Sequence, residues 1–158
     1  MRIAFGSDER TFLTAVLTDA LRARGYDVVL FGAIAEGDED VDWPLVSAHV
    51  GEAVASGQAD QGIVCCWTGT GASIAANKIR GIRAALCADA ETAKGARTFN
   101  HANVLALSLR ATSEGVAKEI LQAWFATDVS VDEWNMRQVE RIAVLEAARC
   151  GAVTPGGA

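Results

Sequence analysis

The chain has 158 residues and a mass of 16.6 kDa, enough for one domain with a sizeable core and no disulfide or metal staples. Apolar residues make up 51% and charged residues 22%, the balance of a soluble globule, which excludes disorder as the main state. Twenty acidic residues against fourteen basic ones leave a net charge of −6, which argues against a nucleic-acid or anionic-membrane surface but leaves room for a local basic pocket for a small anion.

Strand-like runs alternate with helical patterns from end to end. Residues 2–6 read as a strand. Residues 11–24 carry Phe12, Ala15, Val16, Ala20 and Ala23 at helical spacing, and Gly25 stops them. Residues 27–31 form a second strand before Gly32, and the acidic stretch 36–42 reads as an exposed loop. Pro44 opens a helix with Leu45, Val46, His49, Val50, Ala53 and Val54 on one face, ending at Gly57. Residues 61–66 are almost free of polar groups after Gly62, the pattern of a central parallel strand covered on both faces. Helix follows at 72–78, strand at 82–87, helix at 90–97 and strand at 102–107. Val116, Ile120, Leu121, Trp124 and Phe125 mark an amphipathic helix, and 134–149 a last one. Residues 1–150 are thus expected to form a single α/β domain and 151–158 a flexible Gly/Pro tail. The alternation predicts a parallel sheet with helices on both faces, and ligands in such sheets bind at the carboxyl ends of the strands, beside the switch in strand order.

The start of the chain lacks the apolar run of a signal peptide. The longest uncharged stretch, 61–77, is broken by glycines and hydroxyls and falls short of the ~20 apolar residues of a membrane helix. A cytoplasmic protein is expected. Cys65, Cys66, Cys87 and Cys150 form no Cys-x-x-Cys, and with only His49 and His101 beside them no metal cluster is expected, so they read as free thiols.

The turn Cys66-Trp67-Thr68-Gly69-Thr70-Gly71 joins the central strand to a helix. Its two glycines let backbone N–H groups face a ligand, and the helix start adds unpaired N–H groups and a positive dipole end. Such a turn holds a phosphate, a carboxylate or an enediolate oxygen. It is not a Walker A loop, because no Lys follows the second glycine, and the third glycine of a dinucleotide fingerprint would fall on Ile74. The alternative is a tight turn without a ligand. Cys66 ends the strand and faces the turn, either as a base or nucleophile or as a small core residue. Cys65 and Cys87 read as core. Asp8 follows the first strand, with Glu9 and Arg10 beside it; it contacts a sugar hydroxyl or caps the next helix. His49 reads as a core or interface histidine. His101, in the polar segment 99–103 before a strand, serves either a site or a turn.

The segment 62–87, with its run Ser73-Ile-Ala-Ala-Asn-Lys78, closely resembles the ribose 5-phosphate isomerase B family, which includes the galactose 6-phosphate isomerase subunits. Gly6-Ser-Asp8, Asp42-Trp-Pro44, Thr92-Ala93, Arg97, Asn100, residues 102–107 and Arg110 extend the resemblance over roughly 1–145. It implies a Rossmann-like three-layer α/β/α fold with a five-stranded parallel sheet. It implies an aldose–ketose isomerase of sugar phosphates without metal or organic cofactor, and a homodimer, or a dimer of dimers, with shared active sites. By resemblance Cys66 is the base that moves a proton through a cis-enediol. Thr68 supports the reaction, the amides of Gly69, Thr70 and Gly71 hold the enediolate oxygen, and Asp8 and Asn100 contact the sugar.

Departures from the family pattern bear on the substrate. Asp8-Glu9-Arg10-Thr11 stands where the family has Asp-His-Ala-Gly, so a substrate-binding histidine is Glu9. Arg97-Thr98-Phe99-Asn100-His101 stands where the family has Arg-x-His-Asn-Asp, so the ring-opening histidine is Phe99. Either His101 or Glu9 takes that role, or the substrate never closes a ring, as with four-carbon sugar phosphates. Trp67 replaces a glycine and either narrows the pocket or shields it from water. The family's phosphate clamp, two arginines from the partner subunit, matches Trp134 and Gln138 in one register and Arg137 and Arg141 in another. Arg137 and Arg141 share a helix face and can chelate a phosphate, or stand in solvent paired with Glu133, Glu140 or Glu146. Arg10, beside Glu9, is a further candidate phosphate contact, and Arg110 matches a family position and is a candidate substrate-binding residue. A sugar-binding module without turnover, and one subunit of a heteromer, are the alternative readings.

Overall fold

The computed structural model describes residues 1–150, with the side chains of Arg149 and Cys150 excepted; the tail expected at 151–158 lies outside the described residues. Its strands are β1 (Arg2–Ser7), β2 (Asp27–Gly32), β3 (Gln61–Cys66), β4 (Ala84–Leu86) and β5 (Val104–Ser108). They pair in parallel in the order β2-β1-β3-β5-β4. The helices are α1 (Phe12–Ala23), α2 (Trp43–Ala55), α3 (Thr70–Ala76), α4 (Ala90–Asn100), α5 (Glu114–Ala126) and α6 (Glu133–Cys150). This is the expected α/β architecture.

Two cores follow from the period of two along each strand. Ile3, Phe5, Ile63, Cys65, Leu105 and Leu107 face one side, with buried residues of α1, α4 and α5. Ala4, Val64, Cys66, Val104 and Ala106 face the other, with α2 and α3. The second layer sits close to the sheet, because a Cβ on Gly6 would lie 2.7 Å from both Val46 and Val50. On the first side the buried indole of Trp124 donates to the Gln61 amide oxygen at 2.6 Å, and the Arg97 guanidinium lies 5.5 Å from its ring centroid.

Several local expectations change. Thr11 caps α1 in a reciprocal pair with Thr14, so Asp8 is released from that role. Leu45 is exposed rather than core. Strand β4 spans only three residues of the run 82–87. Helix α4 runs three residues past Arg97, so Phe99 and Asn100 stand in its last turn rather than in a loop. His49 is half-buried on α2, its Nε2 3.9 Å from Asp40.

Candidate active site

Strand order reverses between β1 and β3, so the crevice of the sheet opens at their carboxyl ends. Cys66 closes β3 there, 5% exposed, paired in register with Ser108 of β5. The chain then turns sharply. The Cys66 carbonyl accepts from the Gly69 N–H at 3.2 Å and from the Leu109 N–H at 3.0 Å. The Trp67 carbonyl accepts from the Arg110 N–H at 3.1 Å and from the Ser108 hydroxyl at 3.0 Å. Gly69 caps α3 at φ 76°, and a Cβ on it would lie 2.9 Å from the Leu107 carbonyl. With the Gly69 amide turned inward, the amides at the open end of α3 are those of its first turn, Thr70 and Gly71 foremost, which have no intrahelical acceptor. The Thr68 and Thr70 hydroxyls are 2.7 Å apart. Trp67 projects outward, 57% exposed, and the ring of Trp43 packs on Gly71, 3.0 Å from where a Cβ would stand.

The three described cysteines divide by environment. Cys65 faces the other core, and its thiol is pushed far above the ordinary range by burial, then by Cys66 and Asp8. Burial, with Asp89 adding, pushes the Cys87 thiol up to about 12. Both are locked as thiols. Cys66 alone of the three ends the central strand against the α3 turn.

Asp8 follows β1, beside this turn. Its Oδ1 is buried without a hydrogen-bond partner, and burial first, then Glu9, raises its carboxyl above the ordinary range. Glu9 and Arg10 are exposed at the same edge, and Arg10 Nε donates to the Ala33 carbonyl at 3.2 Å. Arg110 lines a cavity of about 220 Å³ with Thr68, Cys87, Ser108 and Thr112. Asp8, Glu9, Arg10, residues 66–71 and Arg110 therefore gather at the carboxyl edge.

The remaining candidates stand at the opposite edge. Arg83, just before β4, donates through Nε to the carbonyls of Asn100 at 3.1 Å and His101 at 3.0 Å. Phe99 and Asn100 are exposed there. His101 takes a left-handed cap at φ 49°, and its Nε2 lies 2.8 Å from the Ser130 carbonyl, so in this chain it ties α4 to the segment before α6. A cavity of about 690 Å³ at this edge is lined by Arg83, Asn100, Ile142, Leu145 and Glu146 among others. Arg137 and Arg141 are exposed on α6, with Arg141 donating to Gln138 at 3.1 Å; among the described residues neither pairs with a carboxylate. Glu146 instead accepts from the Gly81 N–H at 3.2 Å. One chain thus divides the candidate residues between two edges, a strand length (~15–20 Å) apart. Ser108, which braces the turn, carries no motif that marks it in the sequence, and the Asp42-Trp-Pro44 match does not tell that the Trp43 ring packs on Gly71; register and helix packing bring the two there.

A sequence model of the family described as Ribose/Galactose Isomerase matches residues 3–143. Ribose-5-phosphate isomerase B of Escherichia coli is 38% identical over 149 residues, 94% of this chain and 98% of that protein. The D-erythrulose-4-phosphate isomerase of Pectobacterium atrosepticum is 38% identical over 125 residues, 78% of this chain and 82% of that protein. The solved structure of Clostridium thermocellum ribose-5-phosphate isomerase B aligns with a TM-score of 0.86 at 39% identity, covering 94% of this chain and 99% of that one. Fold and relatives together define the class: an aldose–ketose isomerase, an intramolecular oxidoreductase. The chain belongs to the ribose/galactose isomerase family.

Proposed function

We propose that this enzyme interconverts an aldose phosphate and a ketose phosphate through a cis-enediol, with Cys66 as the base. The observation that carries the reading is Cys66 at the end of the central strand, against the open first turn of α3. The Cys66 thiolate takes the proton from the carbon beside the carbonyl. The bonding pair moves into a carbon–carbon double bond, and charge moves onto the carbonyl oxygen. That oxygen faces amides already oriented, which need no reorganisation as charge develops. The proton of the neighbouring hydroxyl passes to that oxygen, giving the cis-enediol, and the thiol returns its proton to the former carbonyl carbon as the second oxygen becomes the new carbonyl. Thr68 supports this transfer through its hydroxyl, and the orphan oxygen of Asp8 accepts from a sugar hydroxyl.

Asn100, Arg137 and Arg141 reach this chemistry from a second copy of the chain. The separation of the two edges supports a homodimer with shared sites, as do Trp134, Val144 and Leu145 exposed on α6. Phe99 has no proton to give, and His101 is engaged with the Ser130 carbonyl, so the substrate we favour needs no ring opening. A four-carbon sugar 4-phosphate meets that condition, since its terminal oxygen is esterified and cannot close a furanose; a relative of that named activity is among the similar proteins. The cytoplasm is the setting we assign, where phosphorylated sugars and free thiols coexist.

Proton NMR in D₂O of four-, five- and six-carbon sugars, free and phosphorylated, tests the reading. Exchange beside the carbonyl is expected for a four-carbon phosphate, with Cys66→Ala slower by at least ~100-fold. Exchange at the wild-type rate in Cys66→Ala removes Cys66 as the base. Binding of a sugar without exchange of any favours a non-catalytic module.

A further inference from the structure

We infer that Ser108 is a positioning residue: it clamps the Trp67–Thr68 peptide so that the Thr68 amide faces the crevice beside Asp8. Ser108 ends β5, 9% exposed, directly across from Cys66 in the sheet. Its hydroxyl has both functions satisfied. It donates to the Trp67 carbonyl at 3.0 Å and accepts from the Ala111 N–H at 3.2 Å. The Arg110 N–H, at 3.1 Å, gives the same carbonyl a second donor. Two donors from the β5 side therefore fix the direction of one carbonyl.

A trans peptide is planar, so its C=O and the following N–H point in opposite directions. The bond between Trp67 and Thr68 is trans. With the Trp67 carbonyl held toward β5, the Thr68 N–H is turned away from β5, toward the β1 side of β3. That is the side of the crevice, where Asp8 follows β1 with a buried, unpartnered oxygen. The same clamp sets where the Thr68 hydroxyl sits for its 2.7 Å contact with Thr70. Without the Ser108 hydroxyl the Arg110 N–H remains alone on the carbonyl. The peptide can then rock, and an amide displaced by a fraction of an ångström loses transition-state stabilisation before it loses ground-state binding.

This role rests on the isomerase reading for its kinetic consequence, but the geometry has its own readout. In Ser108→Ala the amide resonance of Thr68 in a ¹H–¹⁵N spectrum of the ligand-free protein is expected to shift, together with that of Ala111, and Ser108→Thr to restore both. With the sugar phosphate that exchanges in D₂O, kcat of Ser108→Ala is expected to fall about tenfold, the value of one lost hydrogen bond, at nearly unchanged KM. Ser108→Thr should recover most of it. A Thr68 resonance that stays in place in Ser108→Ala overturns the clamp even if no sugar is turned over. A kcat within twofold of wild type, a loss that falls on KM, or equal loss in Ser108→Ala and a folded Ser108→Thr overturns the positioning role. Failure of the base assignment shows separately, as full exchange by Cys66→Ala.

Discussion

Asp8 keeps a carboxylate in a place that disfavours its charge. Its Oδ1 is buried and unpaired, and burial and Glu9 together raise its pKa above the ordinary 3.8. The folded protein therefore holds this proton to higher pH than the unfolded chain does. Stability falls as pH rises from the unfolded value through the folded one, and above that window ionised Asp8 remains a cost to the fold. On the proposed reading this carboxyl serves a ligand rather than the fold. Asp8→Asn is thus expected to raise the melting temperature at pH 7 while lowering turnover. The stability gain should shrink as pH drops below the unfolded value, where the acid is neutral in both states. Melting curves across pH, with isomerase rates on the same samples, check this; a lower melting temperature at pH 7 would show that Asp8 supports the fold.

Helix α3 depends on its left-handed start. Gly69 at φ 76° lets the chain leave β3 and enter the helix within three residues, and a Cβ there meets the Leu107 carbonyl at 2.9 Å. Gly25 has the same conformation, φ 77°, but open space around it. Gly25→Ala should therefore cost only the strain of a left-handed residue, roughly 1–2 kcal/mol, and leave catalysis intact. Gly69→Ala adds the clash and must move the turn, so a larger loss in urea unfolding and at least ~100-fold slower exchange are expected. Equal stability losses with activity kept in both would mean the turn tolerates displacement. The turn was legible because two glycines beside a buried strand end have few other uses. The end of α4 was not. A left-handed cap normally announces itself as Gly or Asn, whereas here it is His101, held by Ser130 from a segment 29 residues away. The apolar run 82–87 exceeds β4 for a different reason: Ile82 is buried against Gly51 of α2 rather than paired in the sheet.

At the scale of the whole molecule, strand order could be anticipated only as a parallel sheet, yet it decides the site. Placing β1 beside β3 brings Asp8 to Cys66, and placing β5 on the other side brings Ser108 and Arg110. Such pairings are long-range and leave no local pattern in the sequence. The same topology sends α4 back along the sheet, which carries Asn100 away from the Cys66 of its own chain. A shared site then makes a sharp prediction about mixtures. Cys66→Ala damages only the carboxyl-edge half of the site, and Asn100→Ala, whose carbonyl still holds Arg83, only the amino-edge half. Each variant alone should turn over sugar phosphate slowly. Unfolded together and refolded, they should recover up to about a quarter of wild-type activity, since random pairing makes half the dimers mixed and each mixed dimer carries one undamaged site of two. Introducing Leu145→Asp into both chains, on the exposed apolar face of α6, should yield monomers by light scattering and abolish the recovery. If the refolded mixture gives no more than the average of the two variants, each chain works alone, and Asn100 acts, if at all, on its own side of the sheet.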